Sequence, residues 1–226
     1  MVKINFLQKT TLQDYPNTPA ALVFLAGCNL RCVFCHNPAA VKNAKETVSN
    51  EEFFSFLESR KNLLEGVVIS GGEPTIHKDL PEFIAKIKKM NFKVKLDSNG
   101  TNPEMLEELI KKNLLDYIAM DVKAPYDKYA EITQTKGVTN KIKKSIKITM
   151  KSKVDYEFRT TCHPSLTKKD FEKIVAQIKG AKRFFLQKYI EEVTLDSQRH
   201  LAIYSKTALL DLKKQLEHNF DEMDVR

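Results

Sequence analysis

Residues 20–38 read AALVFLAGCNLRCVFCHNP. The first part is continuously apolar, the pattern of a parallel strand covered on both faces. The second part crowds Cys28, Cys32 and Cys35 into a polar loop directly after that strand. Of the four cysteines only Cys162 lies elsewhere, and it reads as a small apolar filler near a later strand. A spacing of three residues and then two is not the paired CxxC…CxxC of structural zinc, nor a ferredoxin run with four thiolates per cluster. Three thiolates at short range point to a metal centre with one coordination position open, as catalytic sites keep. In an iron–sulfur cube they would hold three irons and leave the fourth for a substrate or cosubstrate. Three thiols packed as small hydrophobes, or a zinc site completed by His36 or another residue, are the competing readings.

Working outward, six segments read as strands: Ala20–Ala26, Gly66–Ser70, Phe92–Asp97, Leu115–Asp121, Val154–Arg159 and Arg183–Tyr189. In the third, Phe92, Val94 and Leu96 alternate with Lys93 and Lys95, which predicts one wetter face. Helix signals separate the strands. Ser49 with Glu52, Asp79 with Glu82, and Thr167 with Asp170 have capping-box spacing; Asn102-Pro103 is an N-cap and first-turn pair. Val138–Met150 and a last segment carrying Leu209, Leu212 and Leu216 also read as helical. Six β/α units are too few for a closed eight-stranded barrel of about 250 residues. The expected fold is therefore α/β, a partial (βα)6 barrel whose parallel sheet is open at one side. No linker-like stretch divides the chain, so a single domain over residues 1–226 is expected.

The polar motifs recur just after each strand. The cysteine loop follows the first, Ser70-Gly71-Gly72-Glu73-Pro74 the second, and Asp97-Ser98-Asn99-Gly100 ends the third. Asp121-Val122-Lys123 ends the fourth and Arg159-Thr160-Thr161 the fifth; Gln187 and Tyr189, at the sixth, read as core packing before cavity lining. Ligands of β/α folds bind at this end because only that rim gathers loops from every unit. Each motif alone is weak; their common position is the signal.

Composition sets the outer bounds. The 226 residues are 42% hydrophobic and 29% charged, which suits a folded core. The longest apolar stretch, Ala20 to Cys28, is far short of the roughly 20 residues of a membrane span. The N-terminus lacks the apolar core of a secretory signal, so a cytoplasmic location is expected. The net charge of +8 comes from scattered lysines rather than an Arg-rich block, and no appended RNA-binding module is visible. That favours a solvated surface over a nucleic-acid face.

Cys28-x3-Cys32-x-Phe34-Cys35 together with Gly71-Gly72-Glu73-Pro74 resembles the radical S-adenosylmethionine (SAM) superfamily, across nearly the whole chain. Asp14-Tyr15-Pro16, Cys35-His36-Asn37-Pro38, Asp97-Ser98-Asn99-Gly100-Thr101, Ala119-Met120-Asp121-Val122-Lys123 and Glu157-Phe158-Arg159-Thr160-Thr161 look like the activating proteins of anaerobic ribonucleoside-triphosphate reductase, within the glycyl-radical-enzyme activating enzymes. The resemblance implies a radical-SAM TIM-like barrel. It implies a [4Fe–4S] cluster on Cys28, Cys32 and Cys35, with SAM chelating the open iron and being split reductively to a 5′-deoxyadenosyl radical. Phe34 would pack against adenine. Gly71 and Gly72 would let the backbone, with Pro74 beside it, approach the ligand, and Glu73 would accept from the methionine ammonium. Asp97, Ser98 and Asp121 would form a monovalent-cation site, Asp121 and Lys123 would lie near the ribose, and Arg159 would neutralise the methionine carboxylate. A structural ion pair of Asp121 with Lys123 or Arg159 is the alternative. His36 and Asn37 would fix the cluster loop. His77, His163, His200 and His218 show no ligand spacing and read as surface or loop residues.

The implied partners are a glycyl-radical enzyme, an anaerobic ribonucleotide reductase, and an acidic electron donor such as flavodoxin or ferredoxin, steered by the basic balance. With one cysteine outside the motif, no second cluster can be built from cysteines. Two other readings stay open: a radical enzyme acting on a peptide, nucleotide or tRNA, and a non-catalytic zinc or iron–sulfur protein.

Overall fold

The computed structural model describes residues 2–35, 37–38, 41, 45–190 and 203–226. One sheet runs in chain order through eight strands: β1 (Ile4–Thr11), β2 (Ala20–Leu25), β3 (Gly66–Gly71), β4 (Lys93–Ser98), β5 (Tyr117–Asp121), β6 (Asp155–Thr161), β7 (Arg183–Gln187) and β8 (Glu222–Val225). β1 is antiparallel to β2, and each later neighbouring pair is parallel. β1 and β8 form the two edges, so the sheet does not close on itself. The six expected strands are β2 to β7, and the open, partial (βα)6 arrangement is as expected.

Between them lie α1 (Asn50–Ser59), α2 (Leu80–Lys89), α3 (Pro103–Lys111), α4 (Tyr129–Thr133), α5 (Thr139–Lys151), α6 (Lys168–Gln177) and α7 (Lys206–Leu216). The Ser49/Glu52 and Thr167/Asp170 capping boxes form, and the Asn102 side chain accepts from the Met105 N–H. The Asp79 cap does not: at φ −86°, ψ 9° the backbone is outside the extended region from which an N-cap side chain reaches back to the first turn.

The two faces of the sheet differ. The outer face is apolar, with Val67, Ile69, Val94, Leu96, Ile118 and Met120 in one core with Phe53, Leu57, Ile84 and Leu106 from the helices. The inner face holds only a small cluster of Tyr15, Ala20, Leu22, Val68, Tyr117 and Ala119. Phe24 and Phe185 share this face, and most of the remaining inward side chains are polar or charged. Lys95, read as part of a wet face, is 2% exposed, because that face of β4 looks into the barrel rather than out to solvent. Among the described residues, no helix is long and apolar enough to cross a membrane.

Candidate active site

The C-terminal ends of β2 to β6 converge on one cavity, lined by the cysteine loop and by Glu73, Asp97, Asp121, Lys123 and Arg159 among others. All the expected site residues line it except Pro74, which opens a buried turn of 3-10 helix over Pro74–Ile76.

The junction of β2 and β3 accounts for the two glycines. Gly71 has φ +114°, and a Cβ there would meet the Leu25 backbone nitrogen at 2.5 Å. A Cβ on Gly72 would meet the Gly27 carbonyl oxygen at 1.9 Å. The Gly72 N–H donates to Leu25 O (3.0 Å) and the Glu73 N–H to Gly27 O (2.8 Å). The close approach is thus to the neighbouring strand, which lets the cysteine loop leave β2 alongside the β3 turn. Gly72→Ala is expected to cost about 1–3 kcal/mol, the usual penalty of forced overpacking. A lowered urea midpoint at unchanged m checks this, and an unchanged midpoint would contradict the contact.

Glu73 has a different place from the one expected. It is 1% exposed. Its Oε1 accepts from the Thr75 N–H (3.1 Å), Thr75 Oγ1 (2.5 Å) and Ser98 Oγ (2.9 Å). Its Oε2 accepts from the Asn99 N–H at 2.6 Å. The carboxylate ties the end of β3 to the end of β4 and is largely saturated by protein donors. Burial alone pushes its pKa up, and these hydrogen bonds oppose that.

Above it runs an alternating chain of charge. Lys95 Nζ lies 2.5 Å from Asp97 Oδ1, and Asp97 Oδ2 accepts from Arg159 Nη1 (3.3 Å) and Ser70 Oγ (3.1 Å). Arg159 Nε reaches Asp121 Oδ1 at 2.9 Å, and Asp121 Oδ2 meets Lys123 Nζ at 3.2 Å. Burial by itself would raise both carboxyls, but Arg159 with Lys95 or Lys123 outweighs it and holds them below the ordinary range. The ion-pair alternative for Asp121 is therefore realised with both partners. Asp97, Ser98 and Asp121, expected to share a cation, all line the cavity; here Lys95, Arg159 and Lys123 pair with the two carboxylates and the Ser98 hydroxyl donates to Glu73.

The cysteine loop is clamped from the β5 side. The Arg31 and Val33 N–H groups donate to the Thr133 and Ile132 carbonyls at the end of α4 (3.0 and 3.2 Å). Cys32 is 6% exposed, and burial pushes its thiol up to about 11 against the opposing pull of Lys123. Cys28 is raised by the same cause. Phe34 is 4% exposed, its ring 5.6 Å from that of His163, with Lys123 Nζ 5.5 Å from its centre. His163, read as a surface or loop residue, lies in the loop after β6 and is buried between Phe34 and Tyr189. Tyr189 is core, as preferred, and Cys162 is fully buried filler. Asn37 lines the cavity; His36 and His200 lie outside the described residues.

The sequence assigns no role in the site to Lys95 or to Asn99 and Thr101 within their motif, and gives no sign of Asn29 or α4 there. Lys95 was hidden by its alternation, and α4 by its five residues, too few to show a period.

Cys28, Cys32 and Cys35 are free thiols that line one cavity, a donor set that suits a cluster with one iron per thiolate.

Residues 22–178 match the profile of the Radical SAM superfamily. A protein of Methanocaldococcus jannaschii that carries the provisional name glycyl-radical enzyme activating enzyme is 36% identical over 220 residues, covering 94% of this chain and 91% of that one. The pyruvate formate-lyase-activating enzyme of Listeria monocytogenes is 35% identical over 113 residues, 45% of this chain and 46% of the other. Streptococcus suis SuiB bound to S-adenosylmethionine superposes with a TM-score of 0.70 at 16% identity, over 88% of this chain and 48% of that one, which is a likeness of fold.

Proposed function

Because the chain belongs to the radical SAM superfamily, we propose that it reductively cleaves SAM at a [4Fe–4S] cluster on Cys28, Cys32 and Cys35 and thereby installs a glycyl radical on a partner, an anaerobic ribonucleotide reductase. One observation carries the choice of partner class: the M. jannaschii relative, named for activating a glycyl-radical enzyme, is matched along almost its full length. When bound, the cluster supplies the electron that breaks the S–C5′ bond. The chain's own residues do the rest. Arg159, with Nε and Nη1 held by carboxylates, has Nη2 as the guanidinium's remaining donor group for the methionine carboxylate. Lys123 and Asp121, which line the cavity, would border the ribose, and Phe34 would offer an aromatic wall under the loop. Glu73, its carboxylate engaged by Ser98, Thr75 and the Asn99 N–H, fixes the ends of β3 and β4 on which the cavity is built. An acidic flavodoxin or ferredoxin is the electron donor in this reading, drawn by the net charge of +8.

The test is anaerobic reconstitution with iron and sulfide, then SAM, reductant and a candidate ribonucleotide reductase, followed by electron paramagnetic resonance. A glycyl radical doublet formed only with both proteins present is expected. Intact SAM after reduction would overturn the chemistry; cleaved SAM without a glycyl signal would overturn the partner.

A further inference from the structure

We infer that Asn99 is a positioning residue that sets the reduction potential of the cluster, by donating a hydrogen bond to the sulfur of Cys28. This rests on the reading of the three cysteines as cluster ligands. Asn99 is 4% exposed, and its Nδ2 lies 3.9 Å from Cys28 Sγ, within reach for a sulfur acceptor. An amide can be turned either way, but here its orientation is determined by its neighbours. Asn99 Oδ1 accepts from the Thr101 N–H (2.9 Å) and from Thr101 Oγ1 (2.6 Å). Thr101 Oγ1 in turn accepts from Asn29 Nδ2 (2.7 Å), and Asn29 Oδ1 accepts from Asn99 Nδ2 (3.1 Å). The ring Asn99–Thr101–Asn29 closes only with the NH2 group toward the sulfur. The Asn99 backbone N–H is held by Glu73 at 2.6 Å, so the residue is anchored from both ends.

The donors are unevenly shared. The Leu30 N–H also points to Cys28 Sγ, at 3.4 Å. The Arg31, Val33 and Cys35 N–H groups go to carbonyls of Thr133, Ile132 and Cys32. Among the described residues, the hydrogen bonds to sulfur in this loop all end on Cys28. A donor aimed at a ligand thiolate stabilises the more negative, reduced cluster and raises its potential. Asn99 would therefore ease delivery of an electron to a low-potential centre.

The test is a reductive titration of the reconstituted holoenzyme without SAM, reading the reduced-cluster resonance against solution potential. Asn99→Leu is expected to lower the midpoint, reducing the reduced-to-oxidised ratio at fixed poise by about tenfold, which is 59 mV for one electron. Asn99→Asp, which keeps the acceptor toward Thr101 but turns a carboxylate oxygen on the sulfur, is expected to lower it further. Asn99→Ser serves where the leucine variant does not fold. Midpoints equal to or above that of the parent protein would overturn the inference. So would variants that keep the parent far-UV circular dichroism but take up no iron, since Asn99 would then build the loop rather than tune it. A parent protein that takes up no cluster would instead defeat the underlying functional reading.

Discussion

Cys32→Ser should yield a folded chain that cannot keep its complement of about four irons after anaerobic reconstitution. In the proposed cluster each thiolate would hold its own iron, so one lost sulfur would release a corner of the cube, and a serine hydroxyl does not replace a soft anionic donor. SAM cleavage is expected to drop by more than about 100-fold, beyond the 10–100-fold typical of removing a partner outside the ligand set. The comparison is Cys162→Ala. Cys162 is fully buried, its thiol pushed up to about 12 by that burial, and its sulfur lies 3.9 Å from the Thr160 carbonyl. Losing it should cost about 0.5–1.5 kcal/mol, the scale of one buried heavy atom, while iron content stays that of the parent. Iron assays on both variants decide the matter. Full iron in the Cys32 variant, or equal loss in the Cys162 variant, would contradict the assignment.

The second large effect is expected from Asp121→Asn. Asp121 is the shared anion of Arg159 and Lys123, whose side chains are 12% and 14% exposed. Removing one member of a buried pair leaves an uncompensated charge and typically costs about 3–5 kcal/mol. An asparagine amide can accept from one of the two cations but must turn its NH2 on the other. The pH dependence follows from Lys123. In the parent protein burial, the largest single influence, tends to lower its pKa, but Asp121 together with Cys32, Tyr129 and Cys28 outweighs it and holds the ammonium above the ordinary lysine value. That stability is fully present below the unfolded value of about 10.4 and lost as pH rises past it. In the variant burial prevails and the folded pKa falls below the unfolded one. The charged form is then penalised at neutral pH and relieved as pH rises. The stability gap between the two proteins should therefore narrow from pH 7 towards pH 10. A gap that is constant or widens over that range would rule out Lys123 as the stranded charge. Chemical denaturation of the cluster-free chain at both pH values measures it.

Much of this molecule is legible in the chain itself. Continuous apolar runs such as Ala20–Leu25 and Gly66–Ile69 are buried on both faces, as parallel strands covered by helices on one side and the barrel interior on the other require. The positions of β2 to β7 and the helix starts at Ser49, Asn102 and Thr167 follow from such local signals. The edge strands were not visible. β1 exposes four of its eight residues and β8 has only four, so neither carries a hydrophobic pattern long enough to register. The cysteine spacing and the motif after each strand placed the site at one rim, because strand direction fixes which loops meet there.

What each polar side chain does within that rim depended on tertiary contacts. Glu73 looks like a ligand-binding carboxylate until the Asn99 N–H, Ser98 and Thr75 are found to saturate it. Asp97 and Asp121 look like a cation cage until Lys95, two residues before Asp97 on β4, and Arg159, from β6, are seen paired with them. Spacing along a strand tells which face a residue occupies. Whether that face meets water, helices or the barrel interior depends on sheet curvature and on partners more than twenty residues away. Lys95 shows the difference: the alternation that placed it on a separate face was right, and only the folded sheet made that face a buried one.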